Sequence, residues 1–413
     1  MRIRIIPAVL LLCLLGPSAI AQSLTPLTLQ QVVDTYIQSN LDLQAARFRL
    51  ERARADQIAA RLRPNPGILI SAENLAVSGP TPAGRLYEIG ATYTEIIELG
   101  GKRSLREKAA EATVSAADVQ FEDAMRRGVA NVKRLYLDAL LARSNVEIAS
   151  ENRQTFDQLV QFNRTRFEEG AIPEVELIKV RLERVKFDSA VKQADVSMRQ
   201  AIIRLLESLG TVDGAPRVIA GELDARPAAI DLNSLREVAS TERSDVRAAK
   251  AELDAATARL AVERSRGKAD LSPFAGYKRI GNDNTLLFGV NVPLKIRDSN
   301  QAGIARAEVD VKTAQVQLQL ARNRALADVE TAYAGLQAAR ELVETFRAEL
   351  LSQADESRTI ALAAYEEGGI ELLPVLEAQR TRSEVRQQYF KTLFDYQASL
   401  VALELAVGRE IQP

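Results

Sequence analysis

The sequence predicts a mainly α fold: long coiled-coil-like helical hairpins, internally duplicated, with a small β portion suited to a membrane barrel. Three observations predict it. No proline occurs from Ala83 to Ile172 or from Leu294 to Leu373, and long windows poor in proline and glycine are the conditions for long helices. A glycine turn at Phe167 to Ile172 returns at Tyr365 to Ile370, so the chain is written twice with a period of about 200 residues. Between the helical windows lie stretches of about ten residues with alternating apolar side chains, the pattern of strands with two unlike faces.

Composition excludes several function classes. The 413 residues hold 54 Lys+Arg and 55 Asp+Glu, a net charge of −1, so the basic excess of a nucleic-acid binder is missing. Histidine, the commonest general base and metal ligand, is absent. The one cysteine, Cys13, excludes a disulfide framework and a CxxC zinc site. No nucleophile, base and orienting group can be assembled, so no catalytic, cofactor-binding or metal-ligating residue is assigned and no enzyme is expected. The run Gly100-Gly101-Lys102-Arg103-Ser104 lacks phosphate-loop spacing, with Ile96 at the first glycine position and Arg103 after the lysine. It reads as a turn from strand into helix, with cationic side chains near a membrane face.

Taken in order, residues 1–21 read as an export signal. Arg2 and Arg4 precede the apolar run Ile5 to Leu15, and Ala19-Ile20-Ala21 fits a cleavage site before Gln22. Nothing later resembles a twenty-residue apolar helix, so any membrane crossing must be a β-barrel. Residues 22–210 form the first repeat and 231–413 the second. The connector 211–230 carries Gly214, Pro216, Gly221 and Pro227. Each repeat opens with a short helix, marked by Asp42 to Arg47 and its counterpart Asp245 to Lys250.

Strands are expected at 66–77 and 85–98, joined by Gly79-Pro80-Thr81-Pro82, and at 271–280 and 284–293, joined around Gly281-Asn282-Asp283. Tyr87, Ile89, Ala91 and Tyr93 share one face, as do Leu286, Phe288, Val290 and Val292. Alone, these hairpins fit the surface of a soluble protein equally well. Four strands cannot close a barrel and leave two open edges, so several chains must combine if they cross a membrane.

The long helices follow. Window 102–169 holds only Gly128 and window 304–367 only Gly335; some 65 residues span about 95 Å as a helix. Val311, Leu318, Ala325, Ala332, Ala339 and Phe346 recur every seventh residue, as do Ala307, Ala314 and Ala321, which argues coiled-coil packing. Glycine just past each helix supplies a left-handed cap. Return helices run from Glu174 to about Leu209 and from Leu373 to about Val407.

With this order of elements, the chain resembles the TolC family of outer-membrane efflux ducts, and within it the CzcC-like branch associated with heavy-metal efflux. The residues that carry the resemblance are Glu98 to Arg103 after the second strand, Pro293-Leu294 and Asn300 to Gly303 after the fourth, and the turns Phe167 to Ile172 and Tyr365 to Leu376. The resemblance implies a homotrimer in which each protomer gives four strands to a shared 12-stranded β-barrel in outer-membrane lipid and its helices to a periplasmic α-barrel. Connector and chain ends would form an equatorial belt. The tips would meet a periplasmic adaptor (membrane fusion) protein and, through it, an inner-membrane RND pump. No cofactor and no nucleic acid are implied.

The resemblance also places the gate. Carried over from the glycines, its acids fall on Glu377 and Glu176, with Pro374 where relatives often carry a second acid. Three copies of Glu377 around an aperture would attract cations, as acidic rings do; otherwise Glu377 is a solvated helix-face residue. Gly170, Ala171, Ile172, Gly368, Gly369 and Ile370 are the adaptor-contact candidates, and they also serve as helix caps. Rival readings are a TolC-like duct for drugs or secreted proteins and a periplasmic coiled-coil adaptor, which leaves the strands without a purpose.

Overall fold

A computed structural model describes residues 26–75, 78, 80, 87–211, 217–226 and 230–411. The expected export signal, most of the Gly79 to Pro82 connection and parts of the 211–230 connector lie outside the described residues. Each repeat contributes two short helices, a β-hairpin, a long helix and a return helix. The first is α1 Leu29–Ser39, α2 Leu41–Arg61, β1 Gly67–Glu73, β2 Glu88–Thr94, α3 Lys102–Glu168 and α4 Glu174–Ser208. The second is α5 Leu232–Thr241, α6 Ser244–Arg266, β3 Ser272–Ile280, β4 Asp283–Asn291, α7 Gln301–Thr345, a π turn Phe346–Leu350, α8 Leu351–Glu366 and α9 Leu372–Val407. No helix among the described residues is long and apolar enough to cross a membrane.

The four strands form one antiparallel sheet in the order β1-β2-β3-β4. They are shorter than the alternating sequence implied, though β2–β3 pairing continues through the Ile97–Leu271 bridge. The β2–β3 contact joins the repeats, and β1 and β4 remain open edges. The sheet is inside out for a protein in water. Ile70 is 76% exposed and Phe288 74%, and they share the outward face with Ile68, Ile89, Tyr93, Tyr277, Leu286 and Val290. The opposite, more covered face carries Gly90, Thr92, Gly276, Lys278 and Gly289. There the Phe274 ring lies over Gly289, so a Cβ at 289 would sit 2.3 Å from it.

Below the sheet α2 packs on α3, α3 on α6 and α6 on α7; farther down α4 packs on α3, and α9 joins α3 to α7 and α8. At 67 residues α3 is about 100 Å long. The second long helix was expected to be continuous, and here the structure corrects the reading. The seven-residue spacing ends at Phe346, and the next buried position is Ala354, eight residues on. A π turn absorbs the extra residue while Phe346 packs on Tyr389 at 6.3 Å.

The main core lies mid-length, where Val32, Val132, Leu205, Val329 and Leu403 are wholly buried. A belt crosses it. Leu27 bridges Ile219 in parallel, Tyr136 donates to the Ala220 carbonyl and Gln397 donates to the Asp224 carbonyl at 2.8 Å. The corner of each repeat is pinned to the end of its return helix. Asn40, which caps α2, donates to the Ser208 carbonyl at 2.7 Å. Arg243, at the same place in the second repeat, donates to the Ala406 carbonyl at 3.1 Å and holds Asp245 and Asp328.

Gly128, the lone glycine of α3, faces Tyr36 so closely that a Cβ would sit 1.7 Å from the phenol oxygen. In an exposed helix Gly→Ala gains about 1 kcal/mol. Here Gly128→Ala is expected to destabilise by about 1–3 kcal/mol through overpacking, and Tyr36→Ala in the same chain to remove that clash. Thermal melts of the single and double variants check both signs.

Candidate functional site at the hairpin tips

Both long helices end in the same hydrogen-bonded turn. In the first, Gly170 (φ 75°) donates to the Phe167 carbonyl at 2.9 Å and Ala171 to Arg166 at 2.7 Å. In the second, Gly368 (φ 78°) donates to Tyr365 at 3.0 Å and Gly369 to Ala364 at 2.8 Å. These are Schellman caps, which need a left-handed residue and favour glycine. Gly170, Ala171, Gly368 and Gly369 are exposed, Ile370 is half-buried, and Ile172, at 8% exposure, is turned inward.

The two gate candidates have different surroundings. Glu377 is exposed and makes no ion pair among the described residues. Glu176 is half-buried in the first turn of α4 and near enough to Tyr365 to act on its phenol. Counted from the glycines, Glu176 stands opposite Pro374, and Glu377 opposite Lys179. The turns are acidic: residues 167–178 hold Glu168, Glu169, Glu174 and Glu176, residues 365–378 hold Glu366, Glu367, Glu371 and Glu377, and neither stretch contains a lysine or arginine.

Between the tips and the belt lies a second core of Phe156, Leu159, Val180, Tyr365 and Val375, with Phe187 stacked on Phe156 at 4.1 Å. A ladder of buried polar contacts runs beside it and ties the first hairpin to the second. Tyr365 donates to Asn163 Oδ1 at 2.7 Å, with Asn163 wholly buried. Gln379 donates to Asn152 Oδ1 at 2.7 Å. Arg382 donates to Glu151 at 2.8 Å and Arg386 to its other oxygen. Burial works against the Glu151 charge, but the two arginines outweigh it and hold the carboxyl below its ordinary value. Burial pushes the Tyr365 phenol up.

Of these seven residues, sequence reasoning named Tyr365 only as the start of the second turn and did not single out the other six. One signal was available: Asn152, Phe156, Leu159 and Asn163 fall at seam spacing, so two asparagines occupy core positions of a coiled coil, where polar residues specify register. Lys102, read as a cation near a membrane face, is buried and bonded to Asp270 at 2.7 Å. No group of three or more His, Cys, Asp or Glu able to hold a metal ion occurs among the described residues.

A model of the family described as "Outer membrane efflux protein" matches residues 32–211 and 235–409. The cobalt-zinc-cadmium resistance protein CzcC of Cupriavidus metallidurans is 29% identical over 392 residues, 93% of this chain and 90% of the relative. Nodulation protein T of Rhizobium leguminosarum is 23% identical over 411 residues, 93% and 86% of the two chains. The crystal structure of the Campylobacter jejuni CmeC outer membrane channel superposes with a TM-score of 0.78 at 19% identity, covering 92% of this chain and 85% of that one.

Two outcomes follow from the ladder. Tyr365→Phe leaves Asn163 Oδ1 unpaired and is expected to cost about 1–3 kcal/mol, while adding Asn163→Leu recovers most of it, because removing both partners is nearly neutral; thermal melts read the pair. The Glu151 contribution is present above the ordinary glutamate value of about 4.3 and is lost as pH falls through its lowered value. Spin labels at 171 and 369 should therefore hold one distance from pH 7 to about 4.5 and broaden below it.

Proposed function

The chain belongs to the outer membrane efflux protein family, and on that premise we propose that it is the passive outer-membrane duct of a three-part efflux machine whose cargo is divalent heavy-metal cations. An inner-membrane RND pump and a periplasmic adaptor would deliver the cargo. The duct carries no chemistry of its own. The cargo assignment draws on the CzcC-like relatives.

One observation carries the assembly: the faces left unpartnered match the faces already paired inside the chain. Within the chain β2 pairs with β3 and α3 packs on α6. Repeating that contact between copies sets β4 beside the next copy's β1, and α7 beside its α2. Those faces have the required apolar stripes. Leu41 and Phe48 are exposed seven residues apart on α2, with Leu62 just past its end, and Val309 and Val316 seven apart on α7. Lower down, Val175, Leu182, Val196 and Ile203 fall on one seven-residue track of α4. Head-to-tail contacts of this kind close into rings, and the family's number is three, giving twelve strands and no free edge.

In such a ring the repeats 22–210 and 231–413 alternate, with the 211–230 connector as the belt. Glu377, solvated and unpaired, lines the aperture, with Glu176 set back. Gly170, Ala171, Gly368 and Gly369 face the adaptor, with Ile172 and Ile370 bracing the turns beneath them. Opening the end requires the Tyr365, Gln379 and Glu151 contacts to part. A second reading, a duct for other exported cargo such as drugs or secreted proteins, keeps all of this, and the nodulation relative favours retaining it. A periplasmic adaptor would leave the sheet's outward apolar face in water.

Membrane fractionation and mass measurement of the detergent-extracted protein are expected to give an outer-membrane trimer, and Phe48→Asp to release monomer; a soluble monomer from the unaltered chain would sink the reading. A deletion strain should become sensitive to cobalt, zinc or cadmium and be rescued by the gene. Glu377→Gln is expected to lower cation preference severalfold in planar-bilayer conductance, and Glu377→Lys to reverse it. Sensitivity to drugs alone would favour the second cargo.

A further inference from the structure

We propose that the junction between sheet and helices is a collar that binds the headgroups of anionic phospholipids in the leaflet on the helical side. This rests on the reading that the sheet spans the outer membrane. The lipid-facing row of β4 does not stop where pairing stops. Leu286, Phe288 and Val290 are followed by Val292, Leu294 and Ile296 beyond Asn291, and Leu294 and Ile296 are 76% and 81% exposed. Ten residues at about 3.3 Å, tilted by about 45°, rise on the order of 23 Å, close to the apolar band of a membrane barrel. Ile296 therefore marks the margin of the hydrocarbon.

Cations gather at that margin. Lys295 and Arg297 interleave with the row, Arg61 and Arg63 flank Leu62 at the end of α2, and Lys268 follows α6. The segments are tied at one level. Arg103 donates to the Arg61 carbonyl, Arg106 to Leu62, and Lys102 to Lys268, while a Cβ on Gly267 would meet the Ser299 carbonyl. The cations that hold this junction together are paired: Lys102 with Asp270, Arg106 with Glu98, Arg266 with Glu263. The other five are exposed and none makes an ion pair among the described residues, though Lys295 lies near enough to Asp270 to favour its carboxylate form. Glu95 and Asp298 are the exposed unpaired carboxylates at this level, which leaves a positive excess.

At the far end of the sheet the cation Lys278 is paired, with Glu73 and Glu88, and Arg279 bonds the Gly281 carbonyl. A phosphodiester carried on acyl chains satisfies both features of the near end, an apolar row and unpaired cations above it. A surface cation gains about 1 kcal/mol from an anionic leaflet, roughly a fivefold change in binding.

The test uses the full-length protein reconstituted into vesicles of phosphatidylcholine with about 30% phosphatidylglycerol. Spin-labelled phosphatidylglycerol and phosphatidylcholine report which lipid the protein surface retains. The protein should prefer phosphatidylglycerol about threefold or more at 0.05 M salt, and lose the preference at about 0.5 M. The variant R63Q/K295Q/R297Q should insert as well as the unaltered chain into pure phosphatidylcholine, judged by resistance to carbonate extraction, and show no preference. An inserted protein without preference, an R63Q/K295Q/R297Q variant that keeps it, or a preference erased by 20 mM inorganic phosphate at constant ionic strength would each overturn the collar and leave the duct standing. An unaltered chain that does not insert overturns the spanning reading and the collar with it. Salt and phosphate titrations on the unaltered chain decide the question even if the variant does not fold.

Discussion

A backbone N–H or C=O left unpaired in hydrocarbon costs several kcal/mol, and the sheet presents two rows of them, along β1 and along β4. Its outward face is also the apolar one. In water that face is unfavourable, and in lipid the edges are. Only continuation of the sheet into further copies, with the apolar face toward lipid, removes both costs. In the proposed assembly the helices below follow the same constraint, because a barrel of strands that continues into a barrel of helices needs every helix to have a neighbour on each side. On that proposal the exposed stripes on α2, α4 and α7 are contact faces and not surplus hydrophobicity.

Duplication makes this economical in sequence information. A single pairing rule, the second strand of one repeat beside the first strand of the next, holds within the chain and, in the proposed ring, would serve between chains. The rule is kept by geometry, and the chemistry is free to drift. Asn40 and Arg243 hold equivalent corners to equivalent helix ends, one with a neutral amide and the other with a buried guanidinium that must bring Asp245 and Asp328 with it. The arginine version carries the desolvation burden of a charge, which its carboxylates must offset; the asparagine version buries only a neutral amide, whose smaller cost its hydrogen bonds offset.

Periodicity and punctuation made most of the architecture legible. The windows 102–169 and 304–367, poor in glycine as well as proline, set the ends of the long helices to within about three residues, and paired glycines set both turns. The strands were visible as alternation but overlong, because the pattern of alternation outlasts the hydrogen-bonded ladder: Val292, Leu294 and Ile296 continue it with no partner strand. The π turn was hidden because a regular seven-residue spacing runs up to Phe346 and nothing marks the added residue after it. The ladder at the tips was illegible for a different reason. Tyr365 and Asn163 are about 200 residues apart in sequence, and contacts of that span appear only once both hairpins are docked. The pairing of Lys102 was equally out of reach, because its partner, Asp270, lies in the other repeat.

The tips differ in one respect with a wider consequence. Their caps make the same hydrogen bonds, yet the residue six positions past the glycine is Glu176 in one and Pro374 in the other. A closed ring of three such chains therefore presents two kinds of socket in alternation, alike in backbone and unlike in charge. A partner that encircles the end with six identical subunits would meet a symmetry mismatch: six equal shapes and only three equal electrostatic environments. Such a partner would dock in two energetic classes, and partial occupancy would favour every second socket.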